Sequence, residues 1–249
     1  MRSLALSLAA GGLVFAGVTL WVGWVAAILP ALLVFAIIFV MISRRVGAKV
    51  QVGLEAAMPL LQQRKIKQGR AQMRKIQDKF SPWQPFLRGQ IEVQLGMLDY
   101  MQLKFDEALP QLESGSWRNW PALLCIGIIK NKRGDLDEAV SQFEKARRAS
   151  KKEPMVYLVW SSILLNSGKR DEALAVLLRG KKVLPDSENL TYLRDCIANK
   201  KKPNHTRFGQ TWLQFFPEEA AAAMQTRKGP MPGAGFRQGK ISKKARRGR

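Results

Sequence analysis

The sequence predicts an all-α chain: an N-terminal two-helix transmembrane hairpin, then a solenoid of helix pairs, then a disordered basic tail. Three observations predict it. Residues 3–43 carry no charge, the tripeptide Asp-Glu-Ala returns three times at nearly constant spacing, and residues 200–249 hold a large excess of Lys and Arg.

The charge is segregated along the chain. Of 249 residues, 41 are Lys or Arg and 19 are Asp or Glu, a net charge of +22. Residues 1–43 contribute +1, residues 44–80 +8, residues 81–199 +2 and residues 200–249 +11. A nearly neutral middle therefore lies between two basic segments. The length suits one or two domains, and 47% hydrophobic content is enough for a packed core, which excludes global disorder. Cys125 and Cys196 form no C-x-x-C and cannot staple a chain of this size, and His205 is the sole histidine. A zinc site would have to be built almost wholly from carboxylates, which zinc seldom accepts, so neither a metal nor a cofactor is expected.

The uncharged run is too long for one crossing. As a single helix it would extend ~61 Å at 1.5 Å per residue, about twice a hydrocarbon core of ~30 Å. Two helices with a turn within residues 19–24 fit the bilayer, and Gly17 and Gly23 ease the turn. Trp21 and Trp24 would then sit at the far interface. Arg2 at one end and Arg44, Arg45 and Lys49 at the other place both ends in the cytoplasm, with the rest of the chain. In the competing reading the first ~20 residues are a cleaved signal peptide and the second apolar run is a lone anchor. No polar cleavage region separates the two runs, which disfavours it. Pro30 is expected to be a tolerated kink.

Residues 44–81 read as a basic helical stem, with apolar residues at helical spacing in 46–61 and 67–80 and a stop at Ser81-Pro82. Met73, Ile76 and Phe80 share one face. Arg70, Arg74, Lys75 and Lys79 lie elsewhere, either simply solvated or in contact with anionic headgroups at about 1 kcal/mol per cation.

Residues 82–199 contain an internal repeat. Asp106-Glu107-Ala108, Asp137-Glu138-Ala139 and Asp171-Glu172-Ala173 give Ala-to-Ala spacings of 31 and 34. Aligned on that alanine, Gly96 and Gly127 fall where two helices of a unit touch, Gly134 and Gly168 at the turn between them, Phe143 and Leu177 on the second helix, Ala146 near its end and Pro185 after the third unit. Over residues 89–187 the chain resembles tetratricopeptide-repeat (TPR) proteins, whose units of about 34 residues are helix-turn-helix. It departs from the pattern in a first unit about three residues short, ending Ser114-Gly115-Ser116-Trp117, and in Ser161 where glycine is usual. A degenerate fourth unit could begin near Val52 with Ala71 in the alanine role, although an ordinary stem helix satisfies the same period. Residues 188–197 read as a closing helix, with Cys196 packed as a small hydrophobe.

Residues 200–228 hold an aromatic cluster, Phe208, Trp212, Phe215 and Phe216, and a short helix expected over 217–227. The cluster is too apolar to stay in water. It either docks on the solenoid or binds a partner. Residues 229–249 have the Gly, Pro and Lys/Arg content of a disordered extension.

The resemblance implies that the first helix of each unit lines a concave groove. Carried over, the lining is Val93, Met97, Tyr100 and Met101, then Leu124, Ile128, Asn131 and Lys132, then Met155, Leu158, Ser162, Leu165 and Asn166. Some TPR proteins clamp peptide carboxylates with Lys, Arg and Asn at these places; Val93, Met97, Leu124 and Ile128 occupy most of them here, so no clamp is expected. An apolar groove suits a hydrophobic or amphipathic segment of a protein partner. The chain's own residues 208–216 are the competing occupant.

No nucleophile elbow, P-loop or H-E-x-x-H occurs, and the Asp-Glu pairs recur as helix starts, so no enzyme is expected. Two functions follow. One is a membrane-anchored scaffold or adaptor with a protein partner, held in lipid by the hairpin and in a bacterial inner membrane by analogy of architecture. The other is a tether for nucleic acid or ribosomes through Lys240, Lys243, Lys244, Arg246, Arg247 and Arg249, with salt-sensitive binding. Arg44, Arg45 and Lys49 join these six as expected contacts with an anionic surface.

Overall fold

The computed structural model describes residues 2–22, 24–63, 65–83 and 86–219. Among them every regular element is a helix: α1 (Arg2–Val22), α2 (Trp24–Gln62), α3 (Ile66–Phe80), α4 (Leu87–Met101), α5 (Phe105–Gly115), α6 (Trp120–Lys132), α7 (Leu136–Ala149), α8 (Pro154–Asn166), α9 (Arg170–Val183), α10 (Glu188–Ala198), a 3-10 turn (His205–Phe208) and α11 (Gln210–Phe215).

α1 and α2 pack against each other, with Gly11 close to Ala31 and Phe35. In α2 a single segment, Ile28–Ala57, is long and apolar enough to cross a membrane by length and composition. Its first half leaves Leu29, Leu32, Leu33 and Ile37 exposed, so within the fold these side chains cover nothing. The helix does not stop where the charges begin. It continues through Arg44, Arg45 and Lys49 to Gln62, carrying Pro30 and Pro59 within it.

The rest is a stack of helix pairs: α4 with α5, α6 with α7 and α8 with α9, each pair touching the next. Short connections make the members of a pair antiparallel. Side chains define where each helix begins. Asn119 accepts from the Ala122 N–H at 3.2 Å and Asp135 from the Glu138 N–H at 3.0 Å, while Asp-Glu pairs occupy the first turns of α5, α7 and α9. Ala108, Ala139 and Ala173, each the fourth residue of a second helix, are fully buried, and so are Leu112, Phe143 and Leu177 one turn later. Twelve residues before each alanine stands Gly96, Gly127 or Ser161, on the facing first helix. A Cβ on Gly127 would lie 2.4 Å from the Phe143 ring, so the crossing distance is set by the missing side chain.

The turns of the pairs are also in register. Five residues before the buried alanine the backbone is left-handed, at Leu103 (φ 64°), Gly134 (φ 86°) and Gly168 (φ 77°). The first pair uses leucine where the others use glycine, which costs it backbone strain. α10 closes the stack against α8 and α9, with Cys196 buried.

The register of the stem differs from the sequence expectation. Ala71 is exposed; the fourth residue of α3 is Gly69, which is buried, followed by buried Met73 and Ile76. Ala57, twelve residues before Gly69 and 1% exposed, faces it from α2 in the place of Gly96 and Gly127. The second half of α2 and α3 thus form a further helix pair, packed on α4 through Leu87, Ile91 and Leu95. Alignment on alanine alone could not find it, because glycine supplies the small residue. A buried charge ties this pair to the next. Asp99 of α4 is fully buried and accepts from the Arg70 guanidinium of α3 and, at 2.8 Å, from Gln111 Nε2 of α5.

Two substitutions test this packing by chemical denaturation of the solubilised chain. Gly127→Ala, which pushes a methyl into the Phe143 ring, is expected to cost about 1–3 kcal/mol. Leu103→Gly, which removes the strained leucine, is expected to stabilise by about 1 kcal/mol.

Candidate functional site

The first helices α4, α6 and α8 lie side by side, and the residues expected to line a groove lie along them. Val93, Tyr100, Leu124, Ile128, Met155, Leu158 and Ser162 are buried. Met97, Asn131 and Leu165 are half-buried, and Met101, Lys132 and Asn166 are exposed. The 3-10 turn and α11 belong to the same apolar cluster as these residues, and α11 touches α6 and α8.

The covering segment is shaped by its own sequence. Asn204 caps the 3-10 turn by accepting from the Thr206 N–H at 3.1 Å, and its own N–H donates to the Tyr192 hydroxyl at 2.8 Å. Gly209, at φ 77°, redirects the chain into α11. Phe208 from the 3-10 turn and Trp212 and Phe215 from α11 are all buried. Their rings form a continuous row, with Tyr192 to Phe208 at 6.2 Å, Phe208 to Trp212 at 5.0 Å and Trp212 to Phe216 at 4.4 Å. Phe215 meets Trp120 of α6 at 5.9 Å.

Polar contacts fix the segment at its end. The Tyr100 hydroxyl donates to the Phe215 carbonyl at 2.6 Å, satisfying a buried backbone acceptor. Burial, with smaller contributions from Cys125 and Glu218, raises the Tyr100 phenol well above its usual pKa, so it remains a donor. Trp212 Nε1 donates to Glu219 at 3.0 Å, and Lys132 pairs with Glu218 at 2.6 Å. The Lys132–Glu218 pair is largely solvated and contributes specificity of placement more than stability. Ser162 Oγ, by contrast, is buried with no hydrogen-bond partner.

Burial alone pushes the Cys125 thiol pKa upward, which leaves it a packed hydrophobe and not a nucleophile. Among the described residues no group of His, Cys, Asp and Glu comes together as a metal site. Arg44, Arg45 and Lys49 stand exposed on α2 just past its uncharged run. Lys240, Lys243, Lys244, Arg246, Arg247 and Arg249 lie outside the described residues, as do the end of the helix expected over 217–227 and the side chains of Trp21 and Trp24.

The sequence reading did not single out Asp99 and left Arg70 solvated or against headgroups, where the structure pairs it with Asp99; it read Pro217, Glu218 and Glu219 only as a helix start. A lone aspartate inside the apolar sequence Leu98-Asp99-Tyr100 was a readable signal for a buried pair. Nothing local marked the acids that reach back to Lys132 and Trp212. No protein-family model matches the chain, and no curated protein sequence matches it.

Removing the anchor of the covering segment has a definite expected result. Trp212→Ala should cost about 3–5 kcal/mol if the segment unfolds with the stack, and Tyr100→Phe about 1 kcal/mol. Ser162→Ala, which deletes an unsatisfied hydroxyl, should be neutral or stabilising; denaturation midpoints of the three variants check the order.

Proposed function

We propose that this chain is a membrane-anchored scaffold or adaptor: α1 and the first half of α2 cross the bilayer as a hairpin, and a TPR-type solenoid at the cytoplasmic face offers a groove to a protein partner. The observation that carries the reading is the continuity of α2. One helix is both the membrane-length apolar segment and the first helix of the stack, with Ala57 and Gly53 packed on α3, so the groove is held at a fixed height and rotation above the membrane. Ser3, at the start of α1, donates to the Trp83 carbonyl, which supports a hairpin with both ends on the side of the stack. A basic flank at both ends supports the cytoplasmic side, and the architecture fits a bacterial inner membrane.

The covering segment indicates what kind of ligand the groove accepts. Phe208 of the 3-10 turn and Trp212 and Phe215 of α11 lie against it as anchors, so a partner segment that presents aromatic residues on the same turn-and-helix path competes for the same place. The chain's own segment then sets the threshold a partner must exceed.

The test is cross-linking in intact membranes with a tagged full chain and a tagged chain ending at Gly229, each with and without nuclease. A single protein partner captured in all four conditions, and displaced by a peptide copying residues 203–219, is the expected result. Capture of RNA or ribosomal proteins that disappears with nuclease or with the tail would transfer the function to the basic end.

A further inference from the structure

The turns joining one helix pair to the next lie at the end of the stack where α2 enters it, because each first helix begins there and each second helix ends there. The first of these turns sits where the uncharged run stops: Ile42, Arg45 and Lys49 of α2 line a cavity of about 310 Å³ with Lys79, Phe80 and Trp83. Ser3 reaches the same Trp83, so both apolar helices leave their uncharged stretch at this level. The next turn adjoins it, because Gly115 sits directly against the Gly89 backbone.

Two aromatic side chains project from these turns. Phe86 and Trp117 are each 75% exposed and stack on one another with ring centres 6.4 Å apart. The Arg118 guanidinium lies 5.2 Å from the Trp117 ring, and Phe86, Arg88, Trp117 and Arg118 border a second cavity of about 950 Å³. Phe86 and Arg118 hold left-handed backbone, at φ 57° and 60°, a conformation disfavoured in a residue with a Cβ. Phe86 starts α4, its carbonyl accepting from the Gln90 N–H at 3.0 Å, and its ring and that of Trp117 are left largely in water. The neighbouring acids are engaged elsewhere, Glu92 with Arg74 at 3.6 Å and Glu113 with Lys130 at 3.7 Å. Arg45, Lys49, Lys79, Arg88 and Arg118 make no ion pair among the described residues.

The geometry points to a second membrane contact: Phe86 and Trp117 seat at headgroup level of the bilayer that α2 crosses, and the five cations meet the phosphates of anionic lipid. Indole rings favour that interface, phenyl rings bury beside them at it, and each nearby cation adds attraction to an anionic surface. The stack is then held at two places, the helix and this edge, which fixes its tilt as well as its height. The inference rests on the reading of α1 and α2 as membrane-crossing.

Single labelling sites test it in the full chain, reconstituted in nanodiscs of equal parts phosphatidylcholine and phosphatidylglycerol that carry a headgroup-level or an acyl-chain quencher. The native Cys125 and Cys196 are buried, so a fluorophore goes to the introduced thiol. Ser114→Cys reports the aromatic edge, Leu33→Cys the span and Asp137→Cys the opposite edge. The Ser114→Cys label is expected to lose most of its emission to the headgroup quencher and the Asp137→Cys label none. Adding Phe86→Ser and Trp117→Ser, both at exposed positions, or omitting phosphatidylglycerol, is expected to restore most of the Ser114→Cys signal. A bright Ser114→Cys label beside a quenched Leu33→Cys label overturns this inference alone. A Leu33→Cys label that neither quencher dims overturns the membrane-crossing reading and this inference with it. Quenching at Ser114→Cys that ignores both the aromatic substitutions and the lipid charge overturns the assigned contact.

Discussion

Everything in the molecule is referred to one helix. Over 39 residues α2 first exposes apolar side chains on a surface that water would penalise and then turns the same hydrogen-bonded backbone into a packed member of the stack. A helix is stiff because each peptide unit is held by the next turn, so rotation about its axis at the apolar end is passed to the other. Ala57 and Gly53 convert that orientation into contacts with α3, and from α3 the order spreads outward pair by pair. In a stack where each pair touches chiefly its neighbours, the first pair sets the frame for the rest.

The frame is kept by small residues. Ala57, Gly96, Gly127 and Ser161 occupy the same place on four successive first helices, each twelve residues before the fourth residue of the partner helix, Gly69, Ala108, Ala139 or Ala173. Close approach lets Met73, Leu112, Phe143 and Leu177 fill the space one turn further on. The Arg70–Asp99–Gln111 cluster adds direction to this packing. A fully buried carboxylate needs its partners, so slippage of α3 against α4 would strand a charge.

The same economy explains the groove. Three first helices side by side leave an apolar trough that water would disfavour, and the chain covers it with a segment whose three aromatic side chains face inward. Tyr100 ties the cover down through a backbone carbonyl, a contact that depends on where Phe215 lies and not on which side chain it carries. Under the scaffold proposal, a partner would be measured against this cover and not against water.

The Asp-Glu-Ala period was sufficient to read the helices of the middle and their buried alanines, because each rests on contacts within one helix or between neighbours in sequence; the uncharged run did not show that its second helix continues unbroken from Trp24 to Gln62. The degenerate pair was legible only in outline: Gly69 serves where the other pairs have alanine, so a search for that alanine settled on the exposed Ala71. The groove lining was legible as an apolar stripe with residues 208–216 as one of its two expected occupants, but not which of the two takes it. The hydrogen bond from Tyr100 to Phe215 joins residues 115 positions apart. The Arg70–Asp99 pair and the meeting of Phe86 with Trp117 likewise join residues from different helices or turns. Local periodicity specifies which face of a helix is apolar; which neighbour buries that face, and which rings are left outside, is decided only when distant segments compete for the same surface.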